Sequence, residues 1–280
     1  MDTIRTVADL RDWIQGERIY GRTIGLVPTM GALHAGHMQL VKAARQKSDR
    51  VITSIFVNPA QFGPGEDFEA YPRGEAEDAA KLRAAGSDVL FAPSRSEMYP
   101  GGFAANVTVA GLDGVLCGAS RPGHFDGVAT VVTKLFNQVR PNFAFFGEKD
   151  WQQLAIIRRV AADLDQNTEI IGVPTVREDD GLAMSSRNRY LSAAERAAAS
   201  TLPRALQKAA ADIADGKAVA DALAAARGSL TEAGFTVQYL ELRHEETLET
   251  LAQPEEGARL FVATKIGMTR LIDNLPVSAA

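Results

Sequence analysis

Two histidines stand three residues apart in Pro28-Thr29-Met30-Gly31-Ala32-Leu33-His34-Ala35-Gly36-His37, between a β-rich run and a helix-like one. At the first turn of a helix that spacing lets both imidazoles face one anion, and Gly31 and Gly36 let backbone N–H groups approach it. The chemistry this suits is phosphoryl or nucleotidyl transfer, in which two imidazole donors stabilise charge developing on phosphate oxygens. The same residues also suit a glycine turn with one histidine capping the helix and the other packed on the core, because short motifs recur by chance. Metal ligation by the pair ranks lower: His124 and His244 have no neighbouring Cys or His, and a transition-metal site needs further ligands.

A second constellation is Gly147-Glu148-Lys149-Asp150-Trp151-Gln152-Gln153, again at a strand end that leads into a helix. Lys149 offers a point charge to polyphosphate oxygens, and Gln153 offers an amide donor and acceptor to a polar substrate; a solvated loop is the plain alternative. The third is Gly181-Leu182-Ala183-Met184-Ser185-Ser186-Arg187-Asn188. Two hydroxyls beside a forked guanidinium suit a mobile phosphate clamp, or simply a polar connection between domains. The fourth is Asn58-Pro59-Ala60-Gln61-Phe62, where Gln61 can read a hydroxyl and a carboxylate of a small substrate. Downstream, Glu77 and Asp78 suit Mg²⁺ shared with substrate phosphates, or a helix N-terminus whose dipole favours acidic residues. The turn at Arg121-Pro122-Gly123-His124 makes His124 a structural or supporting histidine.

Such turns act together only if a scaffold gathers them. Short apolar runs over 23–28, 50–57, 89–92, 143–146 and 169–173 alternate with helical spacing over 36–47, 75–85, 127–139 and 150–164. That alternation predicts an α/β fold, a Rossmann-like parallel sheet over residues 1–176 with ligands beyond the carboxyl ends of its strands. From 177 to 280 the composition shifts. An Ala-rich stretch over 192–226 opens with Ser192 and Glu195 at capping-box spacing, and β-rich runs over 236–242 and 259–266 follow, predicting a smaller lid domain of helices and a small sheet.

With 280 residues, 46% hydrophobic and 23% charged, the chain can build a packed core and is not mainly disordered. Its net charge of −5, with acids and bases interspersed, leaves no basic stripe for nucleic acid. The lone Cys117 excludes an intramolecular disulfide and fits a reducing, cytoplasmic setting. The N-terminal run lacks a signal-type apolar core, and no stretch approaches the length of a membrane span.

Taken together and in this order, the segments PTMGALHAGH, SIFVNPAQFG with EDFEAYPR, RPGHFDGVATVV, FFGEKDWQQL and VPTVREDDGLAMSSRNRYLS resemble the pantothenate synthetase (pantoate–β-alanine ligase) family. That family lies within the nucleotidylyltransferase superfamily, whose His-x-Gly-His element also occurs in class I aminoacyl-tRNA synthetases. The tail YLELR with TRLIDN also fits, so the resemblance spans about residues 22–275. It implies ATP-dependent condensation of pantoate with β-alanine through a pantoyl adenylate. It also implies ATP contacts at Met30, Gly31, Ala32, Leu33, His34, Ala35, Gly36 and His37, at Gly147, Glu148, Lys149 and Asp150, at Val176, and at Met184, Ser185, Ser186 and Arg187. His37 would be catalytic, with His34, Lys149 and Arg187 stabilising phosphate charge. Pantoate would be held by Gln61 and Gln153, and β-alanine would approach Gln61 with Asn58 nearby. Mg²⁺ with ATP, a cytoplasmic location and a homodimer are the family's further implications; some relatives carry two aspartates where this chain has Glu77 and Asp78.

Overall fold

The computed structural model describes residues 1–278. The chain divides into two compact units: Met1–Gly114, Gly118–Glu148 and Ile156–Pro174 form the first, and Val115–Cys117, Lys149–Ala155 and Thr175–Ala280 the second. In chain order the helices are α1 (Val7–Ile19), α2 (Ala35–Lys47), α3 (Glu75–Ala85), α4 (Arg95–Met98), α5 (Leu116–Ser120), α6 (His124–Val139), α7 (Trp151–Asp163), α8 (Ala193–Ala199), α9 (Thr201–Ala214) and α10 (Val219–Glu232).

The first unit is built on a sheet of six strands: β1 (Asp2–Ile4), β2 (Ile24–Thr29), β3 (Arg50–Ile55), β4 (Val89–Phe91), β5 (Phe143–Gly147) and β6 (Glu169–Val173). All neighbours pair in parallel, in the order β1-β4-β3-β2-β5-β6. Ile24, Leu26, Val27, Val51 and Ile52 have no exposed surface, as expected of central parallel strands covered on both faces. The α/β expectation therefore holds, with β1, α1 and the short helices α4 and α5 added. β1 and α1 were hidden in an N-terminal run whose charged and apolar residues alternate too irregularly to show a period. From β2 the chain winds outward through β3 and β4, then returns to the other side of β2 with β5 and β6. The order thus reverses between β2 and β5, and it is beyond the carboxyl ends of the strands at such a switch point that parallel sheets bind ligands.

The second unit has an antiparallel meander of three strands, β7 (Thr236–His244), β8 (Ala258–Ile266) and β9 (Thr269–Pro276), with α8, α9 and α10. Helix α8 starts at the predicted capping box: Ser192 Oγ accepts from Glu195 N–H, and the Glu195 carboxylate accepts from Ser192 N–H. Leu202, Leu206, Ala209 and Ile213 recur at helical spacing along α9 and are essentially inaccessible; each leucine truncated to alanine would cost about 2–5 kcal/mol. β9 is the strand the sequence pattern did not reveal. Its alternation of Arg270, Asp273 and Asn274 with apolar residues reads as a polar tail until its buried side chains are seen. Among the described residues no helix is long and apolar enough to cross a membrane.

Candidate active site

In the first unit, the turn after β2 is held in an unusual backbone conformation. Gly31 has φ +86° and Ala32 has φ +52°, and a non-glycine residue in the left-handed region costs roughly 1 kcal/mol. Asp78 holds it there. Its Oδ2 accepts from Ala32 N–H and its Oδ1 from Leu33 N–H, both at 2.8 Å, and the carboxylate is only 3% exposed. Lys81, one turn along α3, donates to the Leu33 carbonyl at 2.8 Å.

The next residues open α2 with a reciprocal cap made from imidazoles. His34 Nδ1 accepts from Gly36 N–H at 3.1 Å, and His37 Nδ1 accepts from His34 N–H at 3.3 Å. The ring centroids lie 4.1 Å apart. Because both Nδ1 atoms accept from the backbone, both neutral rings carry their hydrogen on Nε2. Each ring therefore satisfies a helix-start donor with its Nδ1 and carries its own donor hydrogen on Nε2.

Gln61 sits in the helical turn Pro59–Gln61 after β3. Its side-chain Nε2 lies 3.0 Å from Met30 Sδ, and its Oε1 accepts from Asn58 Nδ2 at 3.0 Å. Its backbone carbonyl accepts from His124 Nδ1 at 2.7 Å, and His124 Nε2 faces Arg121 Nη1 at 2.9 Å. As arginine only donates, Nε2 is the acceptor and Nδ1 carries the hydrogen. Arg121 forks onto both oxygens of Glu66 at 2.6 Å. Burial pushes the Glu66 carboxyl up, but the Arg121 hydrogen bonds and charge, with the Gly63 N–H, outweigh it and hold the group below its ordinary value. His124 is thus a supporting residue, as its sequence context indicated.

Glu77 and Asp78 do not fit a cation as a pair. Asp78 uses both oxygens on the His34 turn, while Glu77 points to solvent and pairs with Lys81 at 2.6 Å. Among the described residues no three His, Cys, Asp or Glu side chains gather as metal ligands. The two acids that suited either Mg²⁺ or a helix N-terminus in the sequence both lie in the first turn of α3, where Asp78 anchors the His34 turn and Glu77 is a surface ion-pair partner. Of the remaining expected contacts in this unit, Gly147 ends β5 and Glu148 begins the helical turn after it.

In the second unit, Lys149 and Asp150 complete that turn, their charges 3.8 Å apart. The Lys149 carbonyl accepts from Asn274 Nδ2 at 2.9 Å. Trp151 Nε1 donates to the Glu245 carbonyl at 2.8 Å, and the Arg259 guanidinium stacks 3.3 Å over the indole while donating to Asn274 Oδ1 at 2.8 Å. Gln152 is buried and its amide is bound to the backbone, accepting from Cys117 N–H and donating to the Val115 carbonyl. Gln153, its neighbour, is partly exposed on the same helix.

Val176 and Met184, far apart in the motif, are direct partners: Met184 N–H donates to the Val176 carbonyl at 2.9 Å. A bridge between Arg177 and Ala183 makes the segment a small hairpin rather than an open connection. Arg177 forks onto the fully buried carboxylate of Asp273 at 2.7 and 2.9 Å. Past the hairpin, Ser185 caps the helical turn Ser186–Tyr190 by accepting from Arg187 N–H at 3.2 Å. Asn188 ties that turn back to Glu178 and to the Ala183 carbonyl. No individual role was read for Asp273, Asn274 or Arg259, which support these turns; the Asp-Asn pair within TRLIDN was the one local sign.

A family model described as pantoate-beta-alanine ligase matches residues 2–276. A pantothenate synthetase of Sphingopyxis alaskensis is 58% identical over 99% of this chain and all of its own length. One of Rhizorhabdus wittichii is 57% identical over the full length of both. Among solved structures, a pantothenate synthetase of Thermus thermophilus aligns with TM-score 0.94 at 50% identity, covering 98% of this chain and 99% of its own. A pantoate-beta-alanine ligase of Francisella tularensis, complexed with β-γ ATP and β-alanine, aligns with TM-score 0.84 at 35% identity, covering 99% of this chain and 97% of its own.

Proposed function

The chain belongs to the pantoate-beta-alanine ligase family, and we propose from that premise which of its residues carry the reaction. The activity is the ATP-dependent condensation of pantoate with β-alanine to pantothenate, with AMP and diphosphate as by-products and pantoyl adenylate as the intermediate. A carboxylate is a poor acylating agent, so its oxygen first attacks the α-phosphorus in line and diphosphate leaves. The amine of β-alanine then attacks the mixed anhydride and expels AMP. No enzyme nucleophile is needed.

The observation that carries the assignment is the paired imidazole cap. His34 and His37 each accept a backbone N–H at Nδ1, so each neutral ring carries its hydrogen on Nε2, the donor assigned here to the charge developing on the phosphates. His37 is the catalytic histidine and His34 its partner. On the same unit, Met30 to His37, Gly147 and Glu148 contact ATP, while Gln61 binds pantoate and receives β-alanine near Asn58. On the second unit, Lys149, Asp150, Val176 and Met184 to Arg187 contact ATP, with Lys149 and Arg187 neutralising phosphate charge, and Gln153 binds pantoate. Residues 177–280 would then act as a lid over chemistry anchored on residues 1–176. Positioning and exclusion of water supply most of the rate, since a free acyl adenylate hydrolyses. Mg²⁺ with ATP would supply neutralisation of phosphate charge; no step here depends on a protein carboxylate as its ligand. A homodimer in the cytoplasm is the remaining part of the reading.

The test is diphosphate release from ATP and Mg²⁺ with pantoate, followed by mass detection of pantothenate on adding β-alanine, for the natural chain and His37→Ala. Pantoate-dependent release with a loss of about 10²–10³ in kcat for the variant supports the assignment. An unchanged kcat removes His37 from it. Arg187→Ala, compared in adenylate and amide formation, separates a phosphate role from a general one: equal loss in both steps argues against a clamp specific to phosphate.

A further inference from the structure

We propose that Tyr99 is a positioning residue for pantoate binding, acting through Asn58 to hold the Gln61 amide with its NH₂ group toward the ligand. The proposal rests on the reading of Gln61 as a pantoate-binding residue and adds the polarity of that contact and the residue that sets it.

The argument begins with two backbone groups whose roles cannot change. The Ala60 N–H points at one end of the Asn58 amide at 3.2 Å, and the Gly127 carbonyl faces the other end at 3.0 Å. A backbone N–H only donates and a carbonyl only accepts, so Asn58 must present Oδ1 to Ala60 and Nδ2 to Gly127. The reverse orientation would set donor against donor and acceptor against acceptor in a site where Asn58 is 1% exposed, and each such mismatch is expensive away from water. Helix α6 comes this close because residue 127 is glycine: a Cβ there would stand 2.3 Å from the Ala60 carbonyl oxygen.

With Asn58 fixed, its second Nδ2 hydrogen faces the Gln61 side chain at 3.0 Å and requires an acceptor, so Oε1 of Gln61 occupies that place. The Gln61 NH₂ is thereby directed the other way, toward Met30 Sδ. A thioether is a weak acceptor, and a ligand oxygen would replace it at a gain. Tyr99 closes the chain from the other end. Its hydroxyl lies 2.8 Å from Asn58 Oδ1, which can only accept, so the phenol donates. Burial pushes the Tyr99 hydroxyl up to about 12, which keeps its proton in place at neutral pH. All the hydrogen-bonding capacity of the Asn58 amide is then used, by Tyr99, Ala60, Gly127 and Gln61. Gln61 consequently meets pantoate as a donor to an acceptor oxygen.

A double-mutant cycle tests this. Tyr99→Phe removes one hydroxyl, and loss of its hydrogen bond should raise the pantoate KM about five-fold while the ATP KM stays within about two-fold. In a Gln61→Ala background the same change should add less than about two-fold, because its effect passes through Gln61. An equal factor in both backgrounds, or a parallel rise in the ATP KM, overturns the relay. A Gln61→Ala variant with unchanged pantoate KM overturns the pantoate reading itself and the proposal with it. Should Tyr99→Phe melt far below the natural chain, Asn58→Asp decides: it keeps an acceptor for Tyr99 but presents oxygen to Gln61, so the pantoate KM must rise at least as much as above, and an unchanged KM refutes the proposal.

Discussion

The His34 turn in the first unit and the Lys149 turn in the second are both proposed to contact ATP, and they are held by different means. The first draws on shorter chain separations. Its imidazoles cap their own helix three residues apart, and its anchor Asp78 comes from the next helix along the chain, 46 residues from Ala32. The second depends on one distant strand. Asn274 holds the Lys149 carbonyl across 125 residues, and Asp273 holds Arg177, at the base of the 176–184 hairpin, across 96. Adjacent residues of β9 therefore support both segments of the second unit that are proposed to touch ATP. The difference teaches that the first set of groups can be perturbed one at a time, while the second set is coupled through a common support.

Asp273→Ala is the sharpest way to break that support. It leaves the Arg177 guanidinium without its buried partner and removes the acceptor for Asn274 N–H. The expected loss is about 3–5 kcal/mol in chemical denaturation, with defects in both ATP and pantoate KM; a loss below about 1 kcal/mol would show that β9 is not the common support. Asp78→Asn is the matching change in the first unit. It removes the charge and one acceptor from the His34 turn, so stability should fall by about 2 kcal/mol, with the functional defect showing chiefly in kcat rather than in pantoate KM.

The Glu66–Arg121 pair supplies a smaller, pH-dependent contrast. Glu66 titrates below its ordinary value in the folded chain because Arg121 outweighs its burial. A carboxylate lowered on folding adds stability that is complete above the unfolded value and is lost as pH falls through the folded one. Stability measured by denaturant should therefore drop on going below the ordinary carboxylate range, and Glu66→Gln should flatten that drop by about 1 kcal/mol. Equal acid sensitivity in the variant would remove Glu66 as its source. The smallest effect belongs to Arg196, which bridges Glu178 and Asp180 on the same hairpin that Asp273 supports. Partly solvated, it should cost under about 1 kcal/mol when replaced by alanine. A larger loss would mean that the hairpin is held at its surface rather than from β9.

Much of this was legible before any coordinates. The β2 run, the His34–His37 pair at a helix start, the Ser192 cap and the α9 stripe are each written within a few residues, because strand period, helix period and capping are local effects. The motif set also sufficed to mark the family. Asp78 shows where local reading stopped: its acidic neighbour and its helix N-terminal position suggested a cation or a dipole, and neither pattern contains the Ala32 and Leu33 N–H groups it meets. Tyr99 is a similar case, since an aromatic before Pro100 carries no sign of the amide it touches 41 residues back.

By itself, then, the amino-acid order determined the α/β class, the histidine-bearing helix start and the chemistry those histidines suit, because each arises from periods and caps that act over one or two turns of chain. Only the tertiary structure decided that both imidazoles accept at Nδ1, which way the Gln61 amide faces, and that β9 supports the Lys149 turn. Those outcomes depend on pairing donors with acceptors brought together by folding, and a hydrogen-bond partner a hundred residues away leaves no periodic trace in the segment it orients.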